Sequence, residues 1–103
     1  MSALKITKEN FDLIKNSNKP VLLDFYASWC GPCRMVLPIV EKLGEEQDDF
    51  IVGKVNVDDE SELAREFGVV SIPTLVVIKN GQVVSKAVGA KNRDQIISLV
   101  SAG

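Results

Sequence analysis

With 103 residues, 46% of them apolar and 25% charged, the chain has the length and balance of a domain that builds its own core without disulfide or metal support. Twelve basic and fourteen acidic side chains, interspersed and summing to -2, exclude a surface built for nucleic acid or for an anionic membrane. The stretch MSALKITKEN has no apolar secretory core and no apolar run reaches membrane-span length, so a monomer in a reducing cytoplasm is expected.

No repeat, low-complexity tract or linker interrupts the sequence, which predicts a single domain over residues 1–103. Residues 3–6 form a short strand candidate, and Thr7 is placed to cap a helix carrying Phe11, Leu13 and Ile14. Pro20 opens residues 21–27 (VLLDFYA), apolar on both faces apart from the carboxylate of Asp24, the pattern of a central strand covered on both sides. Met35, Val36, Ile39, Val40 and Leu43 then mark one face of a helix, with Pro32 suited to its first turn. Pro38 lies inside that helix, where it cannot donate to the carbonyl of Arg34 and predicts a kink.

Residues 50–57 read as a second buried strand, and residues 59–67 as a short helix with Leu63, Ala64 and Phe67 on one face and Gly68 as its stop. Thr74–Lys79 and Gln82–Val88 flank Asn80-Gly81, a strong hairpin signal, so these two strands should be antiparallel neighbours. Asn92 and Gln95 have capping-box spacing at the start of a last helix, with Ile96, Ile97 and Val100 facing inward. The order βαβαβαββα predicts an α/β fold: parallel strands joined by crossover helices, a closing hairpin, and helices on both faces of a mixed sheet.

Both cysteines of the chain lie in WCGPCR, residues 29–34. As a staple, a bridge closing about four residues stabilises by roughly 2 kcal/mol, against about 3 for a fifteen-residue loop, so this is a poor structural use. A zinc site needs four ligands, and with no histidine only carboxylates or a second subunit could complete the set. Inert buried thiols are the other bland alternative. Against it, the pair falls where a buried strand turns into a helix. Residues three apart on a helix are roughly 5–6 Å from each other, within reach of a reversible disulfide. The helix N-terminus favours a thiolate on Cys30, which makes Cys30 the nucleophile and Cys33, one turn further in, the resolving thiol.

The segments DFYASWCGPCR, SIPT, KNG and VGA, in this order and spacing over essentially the whole chain, resemble the thioredoxin family. The resemblance implies the thioredoxin fold, a central mixed five-stranded sheet flanked by four helices, and a protein disulfide reductase, a thiol-disulfide oxidoreductase. The alternatives are an oxidant or isomerase, or a binding subunit using the same groove without redox turnover. The Gly-Pro between the cysteines resembles the reducing members. By the resemblance Cys30 attacks and Cys33 resolves. Asp24 matches the buried carboxylate that helps deprotonate Cys33, directly or through a water, and Lys54 matches its lysine neighbour. The bland alternative for Asp24 is a plain ion pair with Lys54 on the adjacent strand.

Pro73 matches a proline that is cis in the family and faces the CGPC loop; on its own it reads equally as a trans residue opening a strand. Trp29, Gly31, Pro32, Ile72, Pro73, Thr74 and Gly89 match the groove that receives a substrate strand. Tyr26 departs from the pattern, standing where the family more often has a second tryptophan. The resemblance also implies no bound cofactor and no metal. It implies disulfide-containing client proteins and an external reductase, in the family usually an NADPH-dependent flavoprotein.

Overall fold

The structure is a computed structural model that describes residues 3–102. Among these residues the order is β1 (Leu4–Lys5), α1 (Lys8–Ile14), β2 (Val21–Tyr26), α2 (Gly31–Glu46), β3 (Ile51–Asn56), α3 (Ser61–Glu66), β4 (Thr74–Lys79), β5 (Gln82–Val88) and α4 (Arg93–Ala102). One five-stranded sheet runs β1-β3-β2-β4-β5. β3 lies parallel to β1 and β2, whereas β4 is antiparallel to both β2 and β5.

β2 therefore lies between two partners, as its unbroken apolar run requires: residues 21–25 are all buried. β1 is shorter than the sequence predicts and pairs only through Leu4 and Lys5. Asn80 (φ 53°) and Gly81 (φ 80°) both take the left-handed conformation that a two-residue hairpin turn demands. Past that turn Ile78 faces Val83 and Val77 faces Ser85, so Val84 is an extra residue that bulges the edge strand.

The sheet divides the core in two. On one face Leu22, Val52, Leu75 and Val77 meet Val36, Val40 and Leu43 of α2 and Ile96 and Val100 of α4. On the other, Leu23, Phe25, Val55 and Val76 pack with Phe11 of α1, Leu63 and Ala64 of α3, and Phe67, whose ring lies edge-on to Phe11 at 5.5 Å. Burial of each large apolar side chain here contributes about 1.5–3 kcal/mol. Two residues of the predicted stripes lie outside this core: Leu13 is 84% and Met35 69% exposed. The inner face of α2 is narrower than its sequence pattern, centred on Cys33, Val36, Val40 and Leu43, and Met35 falls on its outer flank. Ile97 is partly buried against the core.

The helix ends follow local chemistry. The Thr7 hydroxyl accepts from Asn10 N and the Asn10 side chain accepts from Thr7 N, while Asn92 and Gln95 make the same reciprocal pair at α4. α2 continues unbroken through Pro38. Gly68 (φ 63°) ends α3, and Lys86 Nζ donates to the carbonyls of Phe67 and Gly68 there.

Gly53 explains how β1 closes against β3. A Cβ at Gly53 would stand 2.5 Å from Ile6 Cγ1 and 3.1 Å from Leu23 Cδ2, both on buried side chains. Gly53→Ala is expected to lower stability by roughly 1–3 kcal/mol, read as a lower urea midpoint with an unchanged slope.

Candidate active site

β2 ends at Tyr26, and Cys30 caps the N-terminus of α2 in an extended conformation (φ -87°, ψ 114°). Its sulfur accepts from Cys33 N at 3.2 Å, and the two cysteines form a disulfide with their Cα atoms 5.3 Å apart. Cys30 retains 5% exposure and Cys33 none. An incoming sulfur therefore meets Cys30 first. With Ala27 the pair forms a small apolar cluster on which Tyr26, Val57 and Ile72 pack.

Across from the disulfide lies the segment entering β4. The Ile72–Pro73 peptide bond is cis, and the Ile72 carbonyl oxygen is 3.9 Å from Cys30 Sγ, a contact rather than a hydrogen bond because a disulfide sulfur carries no proton. Gly89 (φ 96°) donates its N–H to the Pro73 carbonyl at 2.8 Å, which joins the end of β5 to this segment. Thr74 is buried and its hydroxyl donates to Ser71 O, so its side chain ties the loop together instead of lining an open surface. Gly31, Pro32 and Trp29 are exposed, Trp29 by 67%.

Asp24 is wholly buried on β2, and neither carboxylate oxygen has a hydrogen-bond partner among the described residues. Burial penalises the anion and pushes its pKa up to about 7. Lys54 is its register partner on β3, yet the ammonium goes elsewhere: Lys54 Nζ is 3.2 Å from Glu41 Oε1 of α2, a contact not aligned as a hydrogen bond. The plain Asp24–Lys54 ion pair is thus replaced by a free buried carboxyl.

Three side chains at the site escaped the sequence reading. Asp58 is the first: Trp29 Nε1 donates to Asp58 Oδ2 at 2.8 Å, which fixes the indole beside the disulfide. The signal was faint: Asp58 lies two residues past the end of β3, which is level with the end of β2 through Val57 N to Tyr26 O at 2.8 Å. Glu41 gave no signal, as one polar residue on a helix flank. Val70, 97% exposed two residues before Ile72, is an apolar side chain in a loop that the sequence marks only by its position.

The sequence profile described as Thioredoxin matches residues 2–102. This chain belongs to the thioredoxin family. The thioredoxin of Mycobacterium tuberculosis (strain H37Rv) is 46% identical over 102 residues, covering 97% of this chain and 88% of that protein. The bifunctional thioredoxin reductase/thioredoxin of Mycobacterium leprae is 49% identical over 85 residues, 82% of this chain and 19% of that protein. Among solved structures, a mutant thioredoxin from Halobacterium salinarum superposes with a TM-score of 0.90 at 38% identity, covering 98% of this chain and 89% of that one. Thioredoxins are thiol-disulfide oxidoreductases that work through a redox-active disulfide without a cofactor, together with a thioredoxin reductase and disulfide client proteins. The chain is accordingly a protein disulfide reductase cycling between the Cys30/Cys33 dithiol and disulfide through a mixed disulfide. No helix among the described residues is long and apolar enough to cross a membrane.

Proposed function

We propose that Cys30 is the attacking thiolate and Cys33 the resolving thiol, with Asp24 as the proton acceptor for Cys33. The observation that carries this reading is the asymmetry of the pair: Cys30 alone is open to a second sulfur, while Cys33 is enclosed and donates its N–H to Cys30 Sγ. That N–H, at the N-terminus of a sixteen-residue helix, stabilises negative charge on Cys30 after reduction. A client disulfide docks against Trp29, Gly31, Pro32, Ile72, Pro73 and Gly89, with Thr74 shaping the loop from beneath.

The Cys30 thiolate attacks one client sulfur, forming the Cys30–client bond as the client's own bond breaks and its other sulfur leaves as a thiolate. Cys33 then gives its proton to the Asp24 carboxylate and attacks Cys30 Sγ. The second client sulfur departs, the two client thiolates take up the proton from Asp24 and one from solvent, and the pair of electrons has passed to the client. A reductase returns two electrons to the Cys30–Cys33 disulfide; an NADPH-dependent flavoprotein is the proposed donor. The M. leprae relative, named as a reductase and thioredoxin in one chain, supports such a partner. A reductase role also supports a reducing cytoplasm as the place of action, and we take residues 1–103 to act as one domain.

In an insulin-reduction assay driven by dithiothreitol, Cys30→Ser should fall to the rate of dithiothreitol alone. Rates equal to the parent protein would sink the assignment.

A further inference from the structure

Lys54 and Asp24 are partners on neighbouring parallel strands, so their side chains leave the sheet on the same face. A lysine beside a buried carboxyl with two unpartnered oxygens is placed to form an ion pair, yet here the ammonium is drawn to Glu41. Glu41 follows Val40, a core residue of α2, and so stands at the margin where that helix meets the sheet. The side chains of Lys54 and Glu41 keep 30% and 35% exposure. Two carboxylates thus compete for one ammonium. Glu41 holds it in partly hydrated surroundings, whereas pairing with Asp24 would carry both charges into a dry site.

We propose that Glu41 is a positioning residue for disulfide exchange: by retaining the Lys54 ammonium on the α2 side it withholds a counter-ion from Asp24, so that the buried carboxyl exchanges a proton with Cys33 instead of standing as a permanent ion-paired anion. This rests on the proton-acceptor role of Asp24 proposed above. Burial raises the Asp24 pKa, the direction expected of an enclosed carboxyl that lacks a close counter-ion. The remaining groups on this face are few. β3 contributes Lys54, with Lys5 of β1 in register one strand further out. α2 contributes Glu41 and the Cys33 sulfur, β2 contributes Tyr26, and β4 presents the apolar Leu75 opposite Asp24. α4 faces the sheet with Ile96 and Val100, which carry no charge.

The test is the titration of Asp24, followed by the 13C shift of its carboxyl carbon, in the parent protein and in Glu41→Gln, Lys54→Met and the double variant. Glu41→Gln should lower the Asp24 midpoint by about one pH unit or more, as an opposite charge released next to a carboxyl does. In the Lys54→Met background the same substitution should move it far less, only by the lost repulsion of Glu41 itself. A midpoint that stays put in Glu41→Gln, or that falls equally in both backgrounds, overturns the proposal. The acid limb of the insulin-reduction pH profile should move down with the midpoint. If the midpoint falls and that limb does not follow, the hold of Glu41 on Lys54 stands and the proton-acceptor role of Asp24 is overturned.

Discussion

An Asp24→Asn variant should resist urea better than the parent protein at alkaline pH and lose that advantage below pH 3.8. Both Asp24 oxygens are buried without partners among the described residues, so the protonated acid and the amide of asparagine carry comparable desolvation costs in the same space. The anion carries a further one. Below 3.8 the carboxyl is protonated in both the folded and the unfolded chain, and no difference arises. Between 3.8 and about 7 the unfolded chain gives up its proton while the folded chain keeps it, so stability falls as pH rises, and levels off above about 7. The gap corresponds to roughly 4 kcal/mol, an upper figure for the gain in Asp24→Asn at high pH. Urea midpoints of the two proteins at acid and alkaline pH check it. Parallel curves at every pH would mean that water or a hidden partner reaches the carboxylate. A carboxyl whose burial penalises its anion, and which pairs with none of the described residues, is a feature that packing alone does not explain.

How much of this was legible in the sequence depends on the range of the interactions. The buried run of β2, the Asn80-Gly81 turn and the Asn92/Gln95 cap are written within a few residues, and each stands in the structure as read. The reactive pair was legible for the same reason, since both sulfurs and the helix end that carries them lie in one short segment. Asp24 was visible as one carboxylate in an apolar run. Its solitude was not, because the destination of the Lys54 side chain depends on Glu41, thirteen positions away on the helix crossing above. Trp29 and Asp58 meet only because β2 and β3 end at the same level of the sheet. Met35 fits the apolar stripe of α2, but the curvature of a helix lets only its central row reach the sheet.

A Cys33→Ser variant should halt halfway and accumulate as a covalent adduct with its client. Cys30 remains able to attack, since its exposure and the N–H of residue 33 that supports its charge are unchanged. The second step fails because a serine hydroxyl stays protonated at neutral pH and forms no stable bond to sulfur. Turnover should drop by about a thousandfold or more, as it does when a nucleophile that acts as part of a unit is removed. Non-reducing electrophoresis and intact mass of the variant after incubation with a disulfide-bonded client would show protein plus client as one species, lost on adding dithiothreitol. Cys30→Ser under the same conditions should give no adduct, because the sulfur left in place is Cys33, fully enclosed beneath the helix end. An adduct on Cys33 in the Cys30→Ser protein, with none in Cys33→Ser, would reverse the two roles and show that the slight opening above Cys30 does not decide which sulfur the client meets.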